Sequence, residues 1–298
     1  MLEPGAVIER YVVSALVGSG AMARVYRVEH THLGSTHALK VVESPGAVER
    51  FAREARAQAQ LRHPNVVAVT DFVDVAGLPG LVMEFVDGSG LNQLLRRGSL
   101  PWNTADRIFT DVCAGVQAAH ALNMVHRDVK PANVLVAQVD GRWLAKVADF
   151  GIVKVLGEHA EAHQLTRSSS GMGTPGYMAP EQMSDAKHAD VRADIFSLGC
   201  VLYRMLCGTP PFHGGVRTIY TRAARGQYAP PEQRIPNLPP ACAAAIRACL
   251  EPDRERRPPT IAALRAMLGD ALGEGGGASP APRSDPSTFT FTVPRSLL

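Results

Sequence analysis

Up to about residue 86 the apolar positions fall in short, β-branched runs separated by turn-forming residues. These are "YVVSALVG" at 11–18, "ARVYRVEH" at 23–30, "HALKVVE" at 37–43, "VVAVTDFVDV" at 66–75 and "LVMEFV" at 81–86. Runs of this length and composition predict strands joined by turns. One segment breaks the series: "AVERFAREARAQAQLR" at 47–62 carries helical spacing, and the following "HPN" stops it, because Pro disfavours helical geometry in the residue before it. From about residue 91 the period changes. The segments at 104–123, 194–208, 240–250 and 261–272 repeat their apolar positions every three to four residues and predict helices. A small strand-rich part therefore precedes a larger helical part. The last stretch, 273–298, is dominated by Gly, Pro and Ser and reads as a flexible tail.

Composition narrows the class without naming a function. The chain has 298 residues, 46% of them hydrophobic and 20% charged, and a formal net charge of +3. That is ordinary for a globular protein with a large core. The weak positive balance gives no support to a nucleic-acid partner or a polybasic membrane contact. The five cysteines, at 113, 200, 207, 242 and 249, show no Cys-x-x-Cys spacing. They read as reduced, buried thiols and point to the cytoplasm. No apolar run reaches the ~18 residues of a membrane span. The best two, "SLGCVLYRML" and "ACAAAIRACL", are broken by Arg204 and Arg247. The N-terminus lacks the charged-then-apolar pattern of a signal segment.

The most informative stretch is "MVHRDVKPANVLV" at 124–136, where a His, an Arg, an Asp, a Lys and an Asn interrupt two apolar runs. The strand-like "NVLVAQ" and "RWLAKVAD" flank Asp140-Gly141. Asp-Gly is a strong signal for a two-residue hairpin turn. A turn centred there pairs residues whose numbers sum to 281, which sets Asn133 opposite Ala148, one residue from Asp149. An amide oxygen and a carboxylate at one end of a hairpin are ligands for a hard divalent cation such as Mg²⁺. Asp128, five residues before Asn133, and Lys130 can face the same cavity.

The strings "HRDVKPAN" at 126–133 and "DFG" at 149–151 resemble the catalytic and metal-binding loops of eukaryotic-like (Hanks-type) protein kinases. "LVMEFV" and "GTPGYMAPE" at 173–181 are similar to the hinge and substrate-groove segments of that family, and its bacterial serine/threonine branch fits best. The resemblance covers roughly residues 8–270. It implies an α+β, bilobal kinase fold: a small antiparallel-sheet lobe with one main helix over about 8–86, and a larger, mainly helical lobe over about 87–272. It also implies transfer of the γ-phosphoryl group of ATP, with Mg²⁺ or Mn²⁺, to Ser and Thr hydroxyls of proteins.

The resemblance assigns roles residue by residue. Asp128 orients the acceptor hydroxyl and takes its proton, and Lys130 beside it is the arrangement of serine/threonine kinases. Asn133 and Asp149 hold the metal. Lys40, alternating within its strand, reaches the phosphates. Glu54, which alone would pass for a surface charge among Arg50, Arg53 and Arg56, anchors Lys40. The loop Gly18-Ser19-Gly20-Ala21-Met22-Ala23 covers the phosphates; a strand-like run follows it, which favours a hairpin over a dinucleotide-binding turn. Ala23 stands where the family usually has a third Gly. Met83, Glu84 and Val86 form the hinge against adenine, whose faces meet Val25, Ala38 and Leu135. Asp194 caps the catalytic loop, Glu181 and Arg257 form a bracing ion pair, and Thr174 supports Asp128 and Lys130.

Regulation and partners follow on the same footing. The polar stretch "HQLTRSSSGMGT" at 163–174 predicts Thr166 and Ser168 as autophosphorylation sites, with Arg127 as the cation that receives a loop phosphate. A second copy of the chain is implied for autophosphorylation, and Thr288, Thr290 and Thr292 are further acceptors. Gly90 and Ala132 stand where kinases that require an upstream Arg carry acids, so no such requirement is expected. Two other classes stay open here: a pseudokinase that binds nucleotide as a scaffold, and a small-molecule kinase on a related fold.

Overall fold

The structure is a computed structural model that describes residues 1–20, 23–43, 55–150, 175–184 and 189–269. The β-branched runs form one antiparallel sheet: β1 (Val7–Ile8), β2 (Tyr11–Ser19), β3 (Ala23–His30), β4 (Thr36–Val42), β5 (Val69–Val75) and β6 (Leu78–Glu84), in the order β1-β2-β3-β4-β6-β5. Alternation puts Tyr11, Val13, Tyr26, Val28, Leu39 and Val41 into one core on one side of the sheet. Val42, Leu81 and Met83 belong to a second cluster that includes Ala55, on the helical stretch α1 at residues 55–60.

The helical part follows. It holds α2 (Leu91–Leu94), α3 (Trp102–Ala121), a hairpin of β8 (Val134–Val139) and β9 (Arg142–Val147), α4 (Pro180–Ser184), α5 (Val191–Cys207), α6 (Val216–Ala224), α7 (Pro231–Arg234), α8 (Pro240–Cys249) and α9 (Ile261–Leu268). A two-residue strand, β7 (Ser89–Gly90), adds to β8. Helix α3 buries Ala105, Ile108, Phe109, Val112, Val116 and Ala119, which recur at helical spacing, and so turns one stripe inward. Helix α5 is buried almost all round, from Ala193 to Leu206. Asp190 caps it by accepting from the Arg192 N–H at 2.8 Å. Gly199 lets α8 approach: a Cβ there would collide with the Cβ of Cys249. The long helices start two or three residues before their periodic patterns, because Pro101 and Asp190 set the ends. Helix α6 turns only Ile219 and Ala223 inward.

The Asp140-Gly141 hairpin has the expected register. Val134 pairs with Val147, Leu135 with Lys146 and Val139 with Arg142, each pair summing to 281. Both turn residues have positive φ, 50° and 75°, as a two-residue turn of this hand requires. Asn65, read from sequence as the end of a helix stop, ties this hairpin to the rest. Its side chain donates to Ala145 O at 3.0 Å and its carbonyl accepts from Val147 N at 2.9 Å. Val67 N then donates to Val147 O at 2.9 Å, so β9 is fixed along its length before it reaches Asp149.

Candidate active site

Both ends of the β8–β9 hairpin enter one cleft between the sheet and the helices. Ala148 N donates to Asn133 O at 2.9 Å, which extends the ladder by one pair and sets Asn133 beside the Ala148-Asp149 step. Asn133 donates its amide N–H to Asp128 Oδ2 and to the Asp128 carbonyl, both at 2.9 Å. That choice aims the amide nitrogen inward and leaves Oδ1 as the acceptor end for a cation. Lys130 Nζ reaches the same Asp128 Oδ2 at 2.6 Å. Oδ2 therefore takes two charged or polar donors, and Oδ1 is the remaining acceptor of Asp128.

The loop is held from beneath by Asp194. Its buried carboxylate accepts from the backbone N–H of His126 and of Arg127, each at 2.8 Å, and from His120 Nε2 at 2.8 Å. These bonds fix Arg127 at φ 67°, a strained value for a non-glycine residue. Gln182 Nε2 adds a bond to the Arg127 carbonyl at 2.9 Å. His126 also lies at the centre: its Nδ1 accepts from Asp128 N at 3.2 Å, so Nε2 carries the proton it gives to Ala148 O at 2.9 Å. Its ring lies 4.5 Å from that of Phe150. His126 thus links the loop of Asp128 to the segment of Asp149.

From the sheet side, Lys40 donates to Asp149 Oδ1 at 2.7 Å. Burial alone would raise the Asp149 carboxyl. The Lys40 ammonium and its hydrogen bond, with His126 and Lys130 nearby, outweigh burial and hold it below the usual carboxylate range. A carboxylate with a depressed folded pKa adds stability that is fully present above its unfolded value of ~3.9 and is lost as pH falls through the lower folded value. Lys40→Met is expected to remove that margin. The acid limb of the unfolding curve should move to higher pH, readable by urea unfolding at a series of acidic pH values; an unchanged limb would contradict the coupling.

The remaining sequence candidates fall into three groups. Gly18, Ser19 and Gly20 lie on the β2–β3 hairpin, where Gly18 pairs with Val25 and Gly20 N closes the turn on Ala23 O at 2.9 Å. A hairpin, rather than a strand-to-helix turn, therefore carries this loop. Ala38, Met83, Val86 and Leu135 fall in one apolar cluster at the sheet–helix junction, and Val25 pairs with Lys40 across β3 and β4. Glu181 and Arg257 form a two-pronged pair, Nη1–Oε1 at 2.6 Å and Nη2–Oε2 at 2.9 Å. Ala21, Met22, Glu54, Thr166, Ser168, Thr174 and the tail from 273 lie outside the described residues.

Glu84 has a partner that sequence reasoning missed. Lys146 Nζ holds both its carboxylate oxygens, at 2.6 and 2.8 Å, and so joins the end of β6 to β9. The signal was available in the register: Lys146 lies opposite Leu135, on the face turned to the same cleft. The donor set fits a nucleotide with a divalent cation. Asn133 and Asp149 supply hard oxygen ligands, Lys40 a cation for phosphate, and the apolar cluster a slot for a planar ring.

Comparison with known proteins agrees with this geometry. Residues 11–267 match the family described as protein kinase domain. The serine/threonine-protein kinase PknB of Mycobacterium leprae is 35% identical over 280 residues, which is 90% of this chain and 44% of that protein. A probable serine/threonine-protein kinase PknB of Bifidobacterium longum is 32% identical over 87% of this chain and 39% of its own length. The chain thus spans less than half the length of these curated relatives. Among solved structures, a variant PknI kinase domain of Mycobacterium tuberculosis superposes with a TM-score of 0.72 at 26% identity, covering 91% of this chain and 99% of that one. Rad53 residues 1–466 in complex with AMP-PNP gives 0.71 at 25% identity, covering 89% and 66%.

Proposed function

Because the chain belongs to the protein kinase family, in its bacterial serine/threonine branch, we propose that it transfers the γ-phosphoryl group of ATP to Ser and Thr hydroxyls of proteins. The observation that carries this reading is the bonded set Lys130–Asp128–Asn133, joined through the hairpin ladder to the Lys40–Asp149 pair. Asp128 presents Oδ1 to the acceptor hydroxyl and takes its proton, while Lys130 and Asn133 hold Oδ2 still. Phosphoryl transfer depends on positioning and charge stabilisation more than on an extreme basicity. Lys40 and the backbone of Gly18–Ala23 receive the phosphates, with Glu54 behind Lys40. Adenine lies among Val25, Ala38, Met83 and Leu135, and bonds to the main chain of Glu84 and Val86. Mg²⁺ on Asn133 and Asp149, when bound, neutralises phosphate charge.

The same reading extends to regulation. Thr166 and Ser168 are proposed as autophosphorylated in a pair of chains, with Arg127 receiving the charge and Thr174 supporting Asp128. The kinase unit is proposed as residues 8–272, followed by a tail from 273, and the free cysteines support a proposed cytoplasmic location. Among the described residues no helix is long and apolar enough to cross a membrane.

The test is intact mass and acceptor labelling after incubation of the full chain with ATP and Mg²⁺ or Mn²⁺. Wild type is expected to gain whole phosphate increments and to label a generic protein acceptor; Asp149→Asn should gain none. Nucleotide binding without any transfer would instead establish a scaffold, and labelling of small alcohols alone would establish a small-molecule kinase.

A further inference from the structure

We infer that the cavity beside Lys130 is a subsite for an anionic side chain of the protein substrate, with Arg204 as the cation that receives it. The inference rests on the kinase reading above and goes beyond it by naming a substrate class. The cavity has a volume of about 170 Å³ and is lined by Asn92, Leu95, Lys130, Ala132, Tyr177 and Arg204. It adjoins the Asp128–Lys130 pair, so a peptide whose hydroxyl meets Asp128 passes over it.

Arg204 is the one charged residue of the lining that no acid pairs with among the described residues, since Lys130 is engaged by Asp128. Arg204 projects from α5 and donates one N–H to Leu95 O at 2.9 Å. A guanidinium has five donors in a rigid fork, so most of its capacity remains for a ligand. Among the described residues no carboxylate is paired with it. The carboxylates of the neighbouring elements are committed elsewhere. Asp128 is held by Lys130 and Asn133, Glu181 by Arg257, and Asp194 by the loop backbone. Lys130 lines the other side, its ammonium held by Asp128.

The residues that could reverse this field are small. Gly90 and Ala132 have no charge, and a Cβ on Gly90 would run into the Asn92 side-chain oxygen. A substrate Arg entering here meets the Arg204 guanidinium, and no acid lines the cavity. An Asp, Glu or phosphoserine side chain meets a guanidinium fork in a concave, partly enclosed site, where charge-assisted hydrogen bonds are strong. The same chemistry serves an acidic residue and one phosphorylated beforehand, and the assay separates the two.

The experiment compares kcat/KM of the full chain on peptides that differ at one position near the acceptor. Asp, phosphoserine, Asn or Arg is placed in turn at each of several positions on either side. Wild type is expected to favour an anion over Asn by about tenfold at one position near the acceptor, and to disfavour Arg there. If Asp and phosphoserine are equivalent the subsite is acidic; if only phosphoserine is favoured it reads a prior phosphorylation. Either result supports the inference. Arg204→Lys should keep the sign of the preference, and Arg204→Glu should reverse it. Ala132→Glu, on an exposed position away from the Leu95 bond, should abolish the preference even if Arg204→Glu folds poorly. Full turnover with equal rates for Asp, Asn and Arg, or a preference for Arg, would overturn the subsite and leave the kinase reading intact. No turnover on any peptide, with ATP still bound, would overturn both.

Discussion

Replacing Asp128 by Asn is expected to lower kcat by roughly 10²–10⁴-fold, the range that a positioned acid–base group supplies. The substitution is nearly isosteric. Asn still offers one oxygen to Lys130 Nζ and Asn133 Nδ2, which now reach Asp128 Oδ2 at 2.6 and 2.9 Å. Only the charge and the second acceptor are lost. The melting temperature and the affinity for nucleotide should therefore stay near wild type while transfer collapses. Single-turnover rates with saturating ATP and a protein acceptor separate these effects. A variant that retains transfer within a few-fold of wild type would remove Asp128 from the chemistry. A variant that unfolds would be distinguished by its circular dichroism, and Asp128→Glu, which keeps the charge one methylene further out, would then carry the test.

The largest expected loss of stability comes from Glu181→Ala. Arg257 has no exposed side-chain surface, while Glu181 is one fifth exposed. Besides Glu181, the guanidinium donates to Glu251 O at 2.8 Å, Pro252 O at 3.0 Å and Arg192 O at 3.1 Å. It also stacks 4.9 Å from the ring centroid of Phe196. Removing the carboxylate leaves a buried cation without its counter-charge, at a cost of ~3–5 kcal/mol. For a chain of this size that corresponds to a fall of roughly 10 °C in melting temperature. Thermal unfolding in the absence of nucleotide measures it. Replacing both partners with apolar residues should recover only part of the loss, because three carbonyls would lose their donor. A shift of a degree or two for Glu181→Ala would show that the pair is dispensable.

The sheet strands, the α3 stripe and the Asp140-Gly141 hairpin were all legible in the sequence, because each depends on contacts between residues close in the chain. Alternation in "HALKVV" turned Leu39 and Val41 into one core, and Asp-Gly demanded the positive φ values that set the register. That register alone sufficed to place Asn133 next to Asp149. Helix ends were less legible, since Pro101 and Asp190 act from outside the periodic run. The short helices α2, α4 and α7 were not visible, because a single inward residue has no period, and nine-residue α6 turns only Ile219 and Ala223 inward.

Local pattern and motif spacing thus carried the architecture, the catalytic loop and the family, since they need only neighbouring residues and a turn. Partnerships across the cleft were a different matter. That Lys40 meets Asp149, that Lys146 grips Glu84 and that Arg204 overlooks a cavity beside Lys130 depend on residues more than forty positions apart. Periodicity says which face a side chain takes, but not which distant charge will occupy the space before it. Packing of the sheet on the helices settles that, because it selects which charges leave water together and which remain free for a ligand.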